Sequence, residues 1–299
     1  MGRRGNFAAV IDMDSTTPRR IANRRCAVNG LASVAIATLT ACFLPHAALA
    51  QPASGGPVEK VETTFESVDS TVSAQWEFPA TTPAPLVVML PASEAVDRDG
   101  LPPGYGEDPS TGIYAQLARR LLDAGFAVFR YDSPGTGRSS PGQFCTDRST
   151  ALEGYGRALD HPKVDRSRVF LLGHSASTDT IAGIWDRYAA VRKPAGAVLL
   201  ANIVGEADAV HITAPVLIAV SDKTPNEVFQ RGQFPADARS RAKPPLETQL
   251  VTVPGVDETL LVPQGNEEKP KVWSIDARAV DATIEWLKAH AAAGAPASR

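Results

Sequence analysis

Six short, unbroken apolar runs constrain this chain more than anything else in it: Leu86 to Leu90, Phe126 to Tyr131, Val169 to Leu172, Ala197 to Ala201, Val216 to Val220 and Leu250 to Val253. A strand with one wet face alternates apolar and polar residues, whereas these runs do not alternate, which is how strands read when both faces are covered. Helical patterns lie between them. Ile113, Leu117, Leu121 and Tyr114, Ala118, Leu122 recur at four-residue spacing, and Val280, Ile284, Leu287 line a helix near the C-terminus. Buried strands alternating with helices predict an α/β protein with a mainly parallel sheet and helices on both faces. Ahead of them, Val61 to Val68 and Thr71 to Phe78 do alternate and predict an opening antiparallel hairpin. In sheets of this kind the functional site sits at the carboxyl ends of the strands.

One such end carries a recognisable motif. Gly173-His174-Ser175-Ala176-Ser177 follows the Val169 run directly and opens a helical segment, the layout of a nucleophile elbow. A strand that turns into a helix with almost no loop needs small neighbours, which Gly173, Ala176 and Ser177 supply. The helix start aims N–H groups at developing negative charge, making Ala176 N–H the first candidate oxyanion donor. The competing reading is an ordinary helix-capping serine.

Two further segments carry a family resemblance. Leu90-Pro91-Ala92-Ser93 followed by Asp97-Arg98-Asp99-Gly100, and Arg130-Tyr131-Asp132-Ser133-Pro134-Gly135-Thr136-Gly137-Arg138-Ser139, resemble the oxyanion loop and the D-R-D-G and R-Y-D-x-x-G-x-G-x-S signatures of the α/β-hydrolase superfamily. From about Thr71 to His290 the chain is most similar to bacterial esterase and serine-aminopeptidase-type members. The resemblance implies an α/β-hydrolase fold with an acyl-transfer serine at Ser175 and the Ser93 N–H as second oxyanion donor. Glycines are usual in that family where Ala92, Ser93 and Glu94 stand, so the loop is expected to be stiffer, and Glu94 places negative charge near the oxyanion. Asp97, Arg98 and Asp99 also read as a structural cluster of ion pairs and turns.

The pattern breaks at the base. Thr224 stands where the family has its aspartate, and Asp222, two residues earlier on the same face of an extended strand, is the candidate substitute. Glu258, after Val253-Pro254-Gly255, occupies the histidine position. No histidine replaces it: His46 is too early, His161 and His211 precede their strands, His174 is inside the elbow, and His290 follows the last helix. A serine needs a nearby base, and a carboxylate titrating at about 4.3 is a poor one, so Glu258 would need burial or Asp257 to raise its pKa. Few residues separate Asn202-Ile203-Val204-Gly205 from the run at Val216, which predicts little or no cap over the site. Two functions stay open: an esterase-like hydrolase with a degenerate triad of Ser175, Glu258 and Asp222, and a non-catalytic relative that binds an acyl compound or other small ligand.

The N-terminus bears on location. Arg3, Arg4, Arg19, Arg20, Arg24 and Arg25 precede an uncharged stretch, Leu31 to Ala50, that ends in Ala48-Leu49-Ala50. That order reads as a secretory signal over residues 1–50, followed by a flexible lead-in at 51–57, a domain at 58–290 and a tail at 291–299, in a secreted or periplasmic protein. The stretch is Ala/Thr-rich and broken by Pro45, unlike a membrane span. Leu39-Thr40-Ala41-Cys42 also reads as a lipoprotein box, in which case Cys42 would tether the protein to a membrane, with an envelope structural role as a third reading. Without residues 1–50 the chain has 24 basic and 31 acidic residues, a net charge of −7, which argues against nucleic acid as a partner. Cys145 would then be a lone cysteine. No G-x-G-x-x-G follows the first strand, which disfavours a dehydrogenase. Neither a cofactor nor a metal is expected.

Overall fold

A computed structural model describes residues 58–92, 96–100, 111–142, 147–223, 225–264 and 272–293. The expected signal at 1–50, the lead-in at 51–57, and Ser93, Glu94, Cys145 and Thr224 lie outside the described residues.

The chain opens with the antiparallel hairpin β1 (Glu59–Ser67) and β2 (Ser70–Phe78), then β3 (Ala84–Met89), α1 (Ile113–Asp123), β4 (Ala127–Tyr131), α2 (Asp147–Ala158) and β5 (Val164–His174). It continues through α3 (Ala176–Gly183), α4 (Trp185–Arg192), β6 (Gly196–Leu200), α5 (Glu206–Ala209) and β7 (Val216–Ser221). A short α6 (Pro225–Glu227) leads through a π-helical turn (Val228–Gln233) into α7 (Phe234–Ser240), then β8 (Thr248–Val253), the hairpin β9 (Leu261–Gln264) and β10 (Val272–Ile275), and α8 (Ala277–Ala293). Eight strands form one sheet in the order β1-β2-β4-β3-β5-β6-β7-β8. The β1–β2 and β2–β4 pairings are antiparallel and every other pairing in that sheet is parallel.

Because side chains alternate across a strand, the apolar runs feed two cores. Leu86, Val88, Ala197, Leu199, Val216 and Ile218 face one side, under Tyr155 of α2, Ile181 of α3 and Trp185 of α4. Val87, Met89, Val198, Leu200, Leu217 and Ala219 face the other, under Leu117 and Leu121 of α1 and Trp286 and Leu287 of α8. Helices therefore cover both faces, as the uninterrupted runs predict.

β5 begins five residues before its apolar run. Val164 and Asp165 pair with Ala84 and Pro85, and the register shifts before Leu86 meets Val169. Asp165 Oδ1 accepts the N–H and hydroxyl of Ser167 there, so the polar stretch looks like a turn in sequence. α8 runs on to Ala293 with Ala291 buried, taking in the first residues read as tail. Between β6 and β7 only the four residues of α5 are helical, so no cap domain is inserted at that crossover.

The two arginine-aspartate signatures fold into one buried cluster beside β2 and β4. Asp132 accepts four bonds, from Arg98 N (2.9 Å), Arg98 Nε (3.0 Å), Arg98 Nη2 (2.9 Å) and Arg138 N (2.9 Å). Arg98 also reaches Glu62 (2.8 Å) and Ser73, and Arg130 holds Glu77 and Asp99. Burial alone would push Asp132 up, but the bonds from Arg98 and Arg138 outweigh it and hold its carboxyl below the usual range. Gly137 is required here: its φ is +50°, and a Cβ would sit 2.5 Å from the Asp132 carboxylate. Arg98 and Asp99 act as staples between loop and sheet.

Candidate active site

Ser175 lies between the last residue of β5 and the first of α3, at φ 56° and ψ −121°. A capping serine adopts extended backbone and turns its oxygen onto the helix N–H groups. Ser175 does neither, and its side chain makes no capping hydrogen bond. The turn is held by its neighbours instead: Ser175 N–H donates to Leu200 O (2.9 Å), His174 N–H to Ser177 Oγ (2.8 Å), and Thr178 N–H and hydroxyl to Ser175 O (3.0 and 2.7 Å). Gly173 has no room for a side chain, since a Cβ would meet Ile181 at 2.9 Å and the Ser177 backbone at 3.0 Å. The result is a half-buried serine whose hydroxyl is spent on no structural bond, at the head of a helix whose first N–H groups have no intrahelical partner.

Strain gathers at the same end of the sheet. The non-glycine residues with positive φ among the described residues are Ser175 after β5, Ala201 after β6 and Leu260 in the turn after β8. Each such residue costs on the order of 1–3 kcal/mol and persists only where the surrounding structure over-determines it, which is commonest at functional sites. A small cavity of about 20 Å³ opens beside the elbow, lined by Leu90, Ala92, Ser133, Pro134, Ala176 and Ser177, enough for roughly one water. A far larger groove, about 1320 Å³, runs along the Arg98, Arg130 and Asp132 cluster. Its charged lining is already committed to ion pairs, so chemistry rather than size makes the elbow the candidate site.

The structure treats the expected partners of Ser175 differently. Ala176 N–H stands at the helix start beside that small cavity, and Ala92 lines it from the β3 end, one residue before Ser93. Glu258 is exposed on the turn after β8, and its side chain makes no bond to a described residue. Burial thus does not supply what a basic Glu258 would need, and Asp257 is committed to Thr259 N–H (2.9 Å) and its hydroxyl (2.5 Å). The turn that carries Glu258 is nonetheless tied to the elbow, because Thr259 C=O bonds His174 Nε2 at 2.8 Å. Asp222 is exposed and spends Oδ1 on Gly255 N–H (2.6 Å), tying β7 to the turn after β8 rather than reaching Ser175.

Among the described histidines none serves the serine hydroxyl. His161 stacks between Trp76 and Phe78, ahead of β5. His290 stacks on Trp286 and bonds Glu247, just before β8. His211 is exposed before β7. His174 is buried within the elbow, where Nδ1 meets Tyr114 Oη at 3.2 Å. Tyr114 and Thr259 are site residues the sequence hides: Tyr114 reads as one more apolar position of α1, and nothing around Thr259 marks it.

The model of the family described as serine aminopeptidase, S33, matches residues 102–280, more than half of the chain. The chain belongs to this family. Solved structures agree on the fold of this S33 member. A dienelactone hydrolase-like promiscuous phosphotriesterase from metagenomic libraries superposes with a TM-score of 0.57 at 17% identity, covering 78% of this chain and 99% of that one. Brefeldin A esterase, described as a bacterial homologue of human hormone sensitive lipase, gives 0.53 at 14% identity, covering 83% and 80%. A CIB-like hydrolase from Thermoplasma acidophilum gives 0.51 at 15%, covering 78% and 100%. No curated protein matches the chain by sequence. The fold of this S33 member is thus the α/β-hydrolase fold.

Proposed function

We propose that this protein is a serine hydrolase of esterase type, acting on a small acyl compound through Ser175 with an incomplete triad. The observation that carries the reading is the backbone of Ser175, strained and with its hydroxyl left unspent by the helix it precedes. In the proposed step Ser175 Oγ attacks the acyl carbon and its proton passes to the Glu258 carboxylate. The tetrahedral oxyanion accepts hydrogen bonds from Ala176 N–H and Ser93 N–H. Collapse expels the alcohol, which takes the proton back, and water then hydrolyses the acyl-enzyme by the same route. Asp222 supports this by bracing the turn that carries Glu258. An exposed carboxylate is a weak base, so turnover is slow. Removal of residues 1–50 and a secreted or periplasmic location complete the proposal; lipidation at Cys42 is the variant that would add a membrane tether.

The test is labelling of the signal-cleaved protein with a fluorophosphonate, beside Ser175→Ala and Glu258→Gln. Labelling that disappears in Ser175→Ala and slows in Glu258→Gln supports the proposal. An unlabelled parent overturns it and leaves a ligand-binding protein on a hydrolase scaffold, a reading favoured by the absence of a base bonded to Ser175 among the described residues.

A further inference from the structure

His174 looks idle in sequence, a bulky residue inside a turn that wants small ones. Its surroundings say otherwise. Thr259 C=O is only an acceptor, so His174 Nε2 must carry the proton that bridges the 2.8 Å between them. In the neutral ring Nδ1 is then an acceptor, and Tyr114 Oη, 3.2 Å away, donates to it. The backbone N–H of Ala92 is directed at the Tyr114 oxygen. Every direction in the chain follows from that single carbonyl: Ala92 N–H to Tyr114, Tyr114 O–H to His174 Nδ1, His174 Nε2–H to Thr259 C=O. Tyr114 and His174 are both 3% exposed, so water does not compete for these bonds.

Each end of this chain belongs to a different part of the site. Ala92 closes the strand end after β3. Thr259 follows Glu258 directly. His174 precedes Ser175. Three segments that sequence holds about 80 residues apart from one to the next are thereby joined through two side chains. The joined turn is also internally braced: Asp257 Oδ1 holds Thr259 N–H, Leu260 N–H donates to Asp257 O at 3.1 Å, and Leu260 adopts φ 59°. A carbonyl pinned from outside such a turn holds the turn's backbone, and with it the Cα of Glu258, against the elbow.

We propose that His174 is the positioning residue of the site, a neutral hub that, with Tyr114, locks the oxyanion strand end, the elbow and the Glu258 turn into one register. This deepens the Ser175 reading, yet it concerns how the segments are held and can stand without turnover.

The experiment uses the full chain and reads amide hydrogen exchange at Ala92 and across Asp257 to Leu260, together with the fluorophosphonate labelling rate. Tyr114→Phe keeps the ring and removes both ends of its hydroxyl bridge, so exchange should rise by about tenfold at both places, the effect of losing one buried bond. Two His174 variants separate the ends. His174→Asn keeps an acceptor near Nδ1 and should free only the Asp257 to Leu260 turn; His174→Gln keeps a donor near Nε2 and should free only Ala92. A role in packing alone would loosen both ends equally in both variants, or only Ala92 in Tyr114→Phe, and either result overturns the proposal. If the His174 variants fail to fold, the Tyr114→Phe result decides. Where the parent labels, Tyr114→Phe should lower the maximal labelling rate and leave the half-saturating probe concentration unchanged. Where the parent never labels, the hydrolase reading fails and the exchange pattern still judges the hub.

Discussion

Two polar regions of this molecule sit at the same end of one sheet and are built in opposite ways. Around Asp132, two arginines and their carboxylates close on one another, and Arg98 uses every nitrogen it has. Around Ser175 the backbone is strained, the hydroxyl is unspent, Glu258 is exposed and Asp222 is turned to a neighbouring loop. The first region is what a fold needs, since buried charges must be paired. The second is what a site keeps, groups held in place with their bonding capacity unused. The signatures that best identify the fold, around Arg98 and Arg130, thus turn out to be staples, and the proposed chemistry would rest on a short motif with an atypical base.

The largest effect expected tests whether the open region lacks only a base. Glu258→His with Thr224→Asp should speed Ser175 labelling and ester hydrolysis by about 10²–10⁴-fold, the usual contribution of a positioned acid-base group. A double variant no faster than the parent would mean that the elbow end is not organised for acyl transfer at all. At the closed region the effect moves to stability. Asp132→Asn leaves Arg98 buried at 6% exposure with a neutral partner and should cost about 3–5 kcal/mol in chemical denaturation. The fraction still folded should label at the parental rate, because Asp132 does not touch Ser175.

The same contrast explains what the sequence makes legible. Apolar runs such as the one at Leu86 reveal the sheet because burial on both faces leaves no other composition possible, and the elbow is legible because Gly173 and its small neighbours are forced by contact. The β9–β10 hairpin is not, since Leu261–Gln264 and Val272–Ile275 pair only with each other and are partly exposed. Nor is the Tyr114 to Thr259 chain, whose members are joined by geometry and carry no periodicity. Glu258 illustrates the limit: its position in sequence suggests the missing base, while its exposure and its lack of a partner among the described residues appear only in three dimensions.

A smaller effect tests the strain directly. Glycine adopts φ 56° without the clash a Cβ brings, so Ser175→Gly should stabilise the protein by about 1–2 kcal/mol while abolishing labelling. A loss of stability would mean that the serine side chain supports the fold after all, and the contrast between the two regions would weaken.

The smallest effect is a pH step that the two regions should divide between them. Burial pushes His174 below the ordinary histidine range, and the opposing pulls of Thr259 C=O and Asp257 do not restore it. Below about pH 6.5 the unfolded chain therefore binds a proton that the folded one resists, so this stability is complete above that pH and is lost as pH falls, by up to about 1.4 kcal/mol per pH unit. Asp132, held below the usual carboxylate range, contributes stability that is present above about pH 3.9 and is lost only on further acidification. Denaturation followed from pH 7.5 downward should show the upper step shrink in His174→Gln and the lower one shrink in Asp132→Asn. His161 also lies below its usual value, through burial and then Lys163, so His161→Gln is the control. Should that variant remove the whole upper step, His174 titrates no differently folded than unfolded, and its place as a neutral hub within the open region is lost.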